Sequence, residues 1–291
     1  MRLSPFALGT LLTGVGVLIL SPDAALIRLI DMDPYGLVFW RGLTAALVIG
    51  TATLLVCGRQ TLRQFRGAAL GTGSLIAILL GIGNFGFVVG AERGDPAFTV
   101  VAVAASPLFA ALFSWILFGE RADRITLGAI ALGFIGVSLG AIEVLGQEEA
   151  ALVGFLGASL VPIVLGLSFT LTRFLPKSQN VWAVYTLAGL YSLVMALVIG
   201  GDISVPVDRW LPFAALVGLV VPFSFLLISL GPRYITAAQT SLMMLLETAL
   251  SPIWVYLAIA LVPGPLTLAG GGLLILTLIG QTLLQLRTKA R

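Results

Sequence analysis

The 291-residue chain carries 59% apolar and only 10% charged side chains, with a mean hydropathy of +1.10. Soluble domains hold about 25% charged residues, so no water-soluble fold could bury this much apolar surface. The formal charge of +3 comes from basic residues spread among short loops, not from a patch on a soluble face, which argues against a nucleic-acid partner.

Ten apolar segments follow in chain order, near residues 6 to 27, 35 to 57, 67 to 90, 97 to 118, 125 to 143, 151 to 173, 181 to 200, 210 to 230, 235 to 261 and 265 to 286. Each has roughly the 20 residues a helix needs to cross a bilayer core. The runs are continuous, not alternating, which predicts helices and not a β-barrel. The expected fold class is an all-α polytopic membrane protein with ten transmembrane helices and the lipid bilayer as its surroundings. No connection is long enough for a soluble domain. Met1 and Arg2 before the first run suggest a signal peptide, but no convincing small-residue cleavage site follows, so the segment is read as a retained first helix. Cys57 is alone and histidine is absent, which rules out an intrachain disulfide and His/Cys metal sites; no metal and no cofactor are expected.

Orientation follows from Lys and Arg. With a cytoplasmic N-terminus, twelve basic residues face inward: Arg2, Arg59, Arg63, Arg66, Arg121, Arg124, Arg173, Lys177, Arg233, Arg287, Lys289 and Arg291. Arg28, Arg93 and Arg209 face outward, and Arg41 lies within the second segment. This bias predicts both termini in the cytoplasm, and a bacterial inner membrane as the location.

Ten segments also divide into two fives, residues 1–146 and 147–291, forming one integrated membrane domain. "AALVIG" at 45 to 50 returns as "MALVIG" at 195 to 200, and "LIRL" at 26 to 29 echoes "LTRF" at 171 to 174. A shift of 141 lays "TLGAIAL" (126 to 132) on "TLAGGGL" (267 to 273). An odd number of helices per half makes the second half enter from the opposite side. Such inverted repeats place a substrate site near the midplane and work by alternating access.

"ASPLFAALFSWILFGE" (105 to 120) followed by "ITLGAIALGFIGVSLG" resembles the signature of EamA-type transporters in the drug/metabolite transporter superfamily. "FWRGLTAAL" (39 to 47) is similar to their second helix, and "SPDAALIRLI" (21 to 30) resembles the first helix of one bacterial subgroup. The resemblance implies ten helices in inverted halves and export of small metabolites, often amino acids and in part aromatic ones. It also implies a cavity bounded mainly by helices 1, 3, 4, 6, 8 and 9. Two positions depart from internal symmetry: Thr248 stands where the first half has Pro107, and Leu261 where it has Glu120. The first segment has no carboxylate until Asp23, which speaks against the cation antiport of small multidrug members.

The polar residues within segments are the candidates for a substrate site. In the ninth, Thr240, Met243, Met244, Glu247, Ser251 and Trp254 recur at three- or four-residue steps and share one broad face. The shift of 141 maps Thr240, Glu247 and Ser251 onto Thr99, Ser106 and Ala110. Thr99, Ser106 and Ser251 fit cavity lining and close helix packing equally well. Glu247 is the costliest residue, at about 2.5 to 3.5 kcal/mol if ionised near the midplane, so it must face water, a partner or a substrate ammonium. Asn84 in the glycine-rich third segment could orient an amino acid's polar end or bond a neighbouring helix. Phe225 and Trp254 could pack on an aromatic ligand or on lipid. Gly81 and Pro222 occupy corresponding places in the two halves and, with Pro107, Pro162 and Pro252, are expected hinges or gates. Arg41 is expected to pair with Asp23, Asp31 or Asp33 as a structural or gate ion pair. Trp115, Trp182 and Trp210 lie near span ends and read as interface anchors.

A metabolite exporter acting on neutral or aromatic amino acids is the function these features support, with a small molecule as partner and no indication of oligomeric state. A sugar-phosphate or nucleotide-sugar exchanger would need cations for phosphate, yet no Lys lies between 3 and 176 and Arg41 is the one deep Arg. A multidrug exporter and a scaffold that does not transport are the remaining alternatives. An intramembrane enzyme lacks every usual motif here, since there is no H-E-x-x-H and no G-x-G-D.

Overall fold

The computed structural model describes residues 4–119, 124–144, 149–172, 175–176, 178–231, 234, 237–260, 262 and 264–289. Fourteen α-helices run through them: α1 Pro5–Leu20, α2 Asp23–Ile30, α3 Pro34–Cys57, α4 Thr61–Ala69, α5 Thr72–Arg93, α6 Pro96–Ala104, α7 Ser106–Phe118, α8 Arg124–Val144, α9 Glu149–Leu171, α10 Val181–Ile199, α11 Trp210–Ala215, α12 Val221–Ile228, α13 Ala237–Ile259 and α14 Pro265–Lys289. The described residues hold no strand. Seven helical stretches are long and apolar enough to cross a bilayer: Phe6–Ile30, Pro34–Ala69, Thr72–Arg93, Pro96–Phe118, Ala151–Leu171, Val181–Ile199 and Val207–Ile228. The protein is therefore an all-α polytopic membrane protein. Shorter apolar runs, Leu127–Gly136, Leu246–Ile259 and Pro265–Thr277, lie in α8, α13 and α14.

The ends of the spans carry conventional caps. The Ser4 hydroxyl accepts from the Ala7 amide, Asp33 from Gly36, Asp95 from Ala97 and Phe98, and Asn180 from Trp182. Each supplies an oxygen to amides that lack a partner in the first helical turn. Proline at the start of α1, α3 and α6 costs nothing, because its missing N–H would have been unpaired there.

Among the described residues, breaks that bear on the site fall within three of these stretches. Between α1 and α2 the chain turns at Ser21 and Pro22, which places Asp23 in the first turn of α2. Between α6 and α7 the turn is at Ala105. Pro107 has no N–H to offer the Val103 carbonyl, and the Ser106 hydroxyl donates to that oxygen instead, at 2.5 Å. Between α11 and α12 the helix widens into a π turn over Leu216–Val220, and Pro222 follows directly. Pro107 and Pro222 thus stand at the starts of helical pieces next to these breaks, whereas Pro162 and Pro252 are inside α9 and α13.

Helices approach closely where glycine allows it. α3 crosses α10 at Gly42 and Gly189, and a Cβ placed on Gly42 would lie 2.5 Å from the Gly189 carbonyl oxygen and 2.9 Å from the Leu193 nitrogen. α8 and α14 meet in the same way at Gly136 and Gly270. Backbone contact of this kind is how membrane helices gain packing energy without a hydrophobic drive between them. Gly42→Val is expected to push α3 from α10 and destabilise the protein by about 1 to 3 kcal/mol, read as a lower Tm in detergent. An unchanged Tm would show that the crossing has slack.

Trp115 and Trp210 are exposed, as interface anchors would be. Trp182 is not: it is buried, and its indole N–H donates to the Ser229 hydroxyl at 2.9 Å. A tryptophan near a helix end reads as an anchor by position alone, and here the polar tip found a protein partner instead of the headgroups.

Candidate functional site

A cavity of about 200 Å³ lies at the centre of the bundle. Leu20 and Asp23 close it from the first span, Arg41, Gly42, Ala45 and Ile49 from α3, and Leu80, Gly83, Asn84 and Phe87 from α5. Val103 enters from α6 and Val161, Leu165 and Phe169 from α9, while α10 contributes Tyr185, Ala188, Gly189 and Ser192. Val221, Phe225 and Ile228 of α12 and Glu247 of α13 complete the wall. The lining is mostly apolar with a few convergent polar groups, the usual composition of a small-molecule site.

Those polar groups form one cluster. The Arg41 guanidinium grips Asp23 with both terminal nitrogens, Nη1 on Oδ1 and Nη2 on Oδ2, the latter at 3.0 Å. Its Nε donates to Asn84 Oδ1 at 3.0 Å, and its carbon sits 5.8 Å from the centre of the Phe87 ring. Arg41 and Asp23 are each 2% exposed, so the pair is desolvated and holds its charges by mutual attraction and hydrogen bonding. The position of Asp23 in the first turn of α2 adds the favourable end of that helix's dipole. Glu247, 4% exposed, faces the same space and interacts electrostatically with Asp23 and Arg41. Among the described residues it makes no hydrogen bond to a side chain or backbone group. Tyr185 and Phe225 stand side by side in the same lining, ring centres 6.3 Å apart.

Asn84, Phe225, Glu247, Asp23 and Arg41 are thus brought together at one cavity, and of the three partners weighed for Arg41 the structure selects Asp23. Other candidates lie elsewhere. Thr99 is fully buried, and its hydroxyl donates back to the Asp95 carbonyl. Ser106 answers the carbonyl left open by Pro107, as described above. Ser251 is buried away from the described lining. Trp254 is 43% exposed and donates its indole N–H to the Ser21 hydroxyl at 2.9 Å, so it braces α13 against the end of α1. The Met244 side chain lies outside the described residues, as do Glu120 and Leu261. Gly81 packs on α10, where a Cβ would meet the Ala188 oxygen at 3.4 Å, an ordinary contact. Pro162 lines a separate apolar cavity of about 160 Å³ between α7, α8 and α9.

The walls from α3 and α10 went unforeseen. Gly42 and Gly189 are the signal that could have found them, since paired glycines bring those two helices together and leave Arg41 and Tyr185 facing the centre. Phe87 was hidden by its setting, one aromatic in a segment whose glycines suggested bending and not a wall.

Residues 6–141 match the EamA-like transporter family. A solved crystal structure of another protein shares the fold with TM-score 0.62 and 19% identity, covering 96% of this chain and 98% of that one. No curated protein matches the sequence. Members of the EamA-like family are transporters and not enzymes. The central cavity is thus the candidate substrate site of a polytopic membrane protein whose residues 6–141 are similar to that family.

Proposed function

We propose that this EamA-like protein exports small metabolites, neutral or aromatic amino acids first among them, by alternating access through the central cavity. The observation that carries this reading is the combination of Glu247 with a neutralised Asp23–Arg41 pair on a wall built mostly from Phe87, Phe169, Tyr185, Phe225 and aliphatic side chains, with Asn84 and Ser192 as its other polar side chains. A carboxylate offers a place for an ammonium group, and the rings offer a place for an apolar side chain. The volume suits a small metabolite, being below the roughly 300 to 1,000 Å³ of drug-sized pockets. A phosphate-bearing substrate would need free cationic groups, whereas the one cation on the described wall is already engaged. Counterflow in liposomes holding the pure protein tests the reading. Labelled phenylalanine should accumulate against a preload of unlabelled phenylalanine and not against glucose 6-phosphate; no accumulation with any amino acid would sink it.

The architecture proposed is ten spans in two inverted repeats, residues 1–146 and 147–291. In its support, α8, α13 and α14 have 21, 23 and 25 residues, enough to span roughly 30 Å at about 1.5 Å per residue. The packing has the pattern a twofold would impose. α3 pairs with α10, α6 with α13 and α8 with α14, while α5 on α9 is answered by α12 on α1. The charge bias supports cytoplasmic termini in a bacterial inner membrane. Reporter domains fused after Arg291 and within 144 to 150 should report opposite sides of the membrane, and like signals would sink the ten-span arrangement.

Gly81 and Pro222 serve in this proposal as bending points of opposite gates, beside Pro107, Pro162 and Pro252. The π turn ahead of Pro222 supports it, because such turns are weak points in a helix. Replacing Gly81 or Pro222 with Ala should slow turnover more than it weakens substrate binding. Turnover equal to the parent's in both variants would leave them as packing residues.

A further inference from the structure

A guanidinium can clamp a carboxylate along two edges, the pair of terminal nitrogens or Nε with its neighbour. Both edges of Arg41 are occupied. Asp23 takes the terminal pair, and Asn84 takes Nε. The Phe87 ring lies beside the guanidinium, its centre 5.8 Å from the central carbon. Arg41 is the only cation on the described cavity wall, so a substrate carboxylate entering this space finds no fork to receive it. Asp23 cancels the charge of Arg41, and the acidic group left over is Glu247. An ammonium cancels the charge that Glu247 carries when ionised, whereas a second carboxylate adds to it.

We infer that the site reads the ammonium end and the apolar body of its substrate and leaves the carboxylate unread, so that its substrate class is the primary amine with an apolar or aromatic body. Amino acids are one kind of such amine; their amides, esters and decarboxylated forms are others. Asp23 acts as the specificity-determining residue, an internal carboxylate that occupies the place a substrate's would take. The inference rests on the cavity being the transport site proposed above.

The test is counterflow with the full-length protein in liposomes, using labelled phenylalanine and, separately, labelled phenethylamine. The competitors are phenylalanine, phenylalaninamide, phenethylamine and 3-phenylpropionate. The amide and the amine should compete within about threefold of phenylalanine or better, and 3-phenylpropionate should be at least about tenfold weaker. Competition by 3-phenylpropionate equal to that of phenylalanine, or loss of competition by both the amide and the amine, would overturn the inference while leaving amino-acid export intact. Transport of phenethylamine without phenylalanine would retain amine recognition and remove amino acids as the substrate. Failure of both labels would remove both readings. Asp23→Asn adds a gain-of-function arm: it frees the terminal edge of Arg41, and 3-phenylpropionate should then compete at least about tenfold better than in the parent. A folded variant that shows no gain overturns the role given to Asp23, and if the variant does not fold the panel on the parent protein decides.

Discussion

Glu247→Gln should weaken binding and export of amine-bearing substrates by about 30-fold or more, while the folded yield stays at or above that of the parent. The two halves of this expectation have one cause. Glu247 is buried, and if ionised it is the charge in the cavity that the Asp23–Arg41 pair does not cancel. Removing one member of a desolvated charge contact to a ligand costs about 2 to 5 kcal/mol of binding. Gln keeps the shape and the capacity for hydrogen bonds, and an amide is easier to bury than a carboxylate, so the fold has nothing to lose. Substrate affinity measured on the purified variant, beside its counterflow rate, reads both halves. A variant that binds and exports like the parent would make Glu247 a structural polar contact.

The second large effect concerns stability. Arg41→Ala leaves Asp23 as a buried carboxylate without its cation and takes the donor from Asn84; Asp23→Ala leaves a buried guanidinium without its bidentate partner. Each should cost about 3 to 5 kcal/mol, because the desolvation already incurred is no longer offset by attraction. Replacing both at once, with Asp23→Leu and Arg41→Met, removes the charges together and should recover most of that loss. Tm values of the three variants in detergent, beside those of the Asp23→Leu and Arg41→Met singles that close the cycle, test this. A double variant as unstable as the sum of the singles would show that the pair is not the unit of stability described here.

Much of the frame was readable because a bilayer imposes a simple rule. Apolar runs of one length must become helices, and seven of the ten runs expected from the sequence are helices long and apolar enough on the described residues to span. Ionisable residues were readable for the same reason, since their cost inside a membrane forces a partner or a cavity, and Asp23, Arg41 and Glu247 all reach one cavity. Hydroxyl residues carry no such cost. Thr99 and Ser106 can satisfy themselves on backbone carbonyls three or four residues back in the chain, so their presence within a span says little about what they face. Spacing arithmetic also assumes an unbroken helix, and the turn at Ala105 falls between Thr99 and Ser106. Past such a break, positions seven apart need not share a face. Trp182 shows the complementary limit: sequence position placed it at a membrane boundary, and only the packing of α10 near Ser229 shows that it points inward.

The π turn at Leu216–Val220 bears on how the two halves can be compared at all. A helix that gains one residue and keeps its α geometry rotates everything beyond the insertion by about 100°. Val221, Phe225 and Ile228 would then swing off the cavity wall together. A widened turn swallows the extra residue locally, and the phase downstream is preserved. Under the proposed duplication, the π turn shifts an ungapped offset by one residue within a single span, on top of the larger changes of offset between the echoes at 26/171, 45/195 and 126/267. The faintness of the internal echoes is then a matter of bookkeeping along the chain, and the kinship between the halves is better sought in the geometry of their helices than in an ungapped alignment of letters.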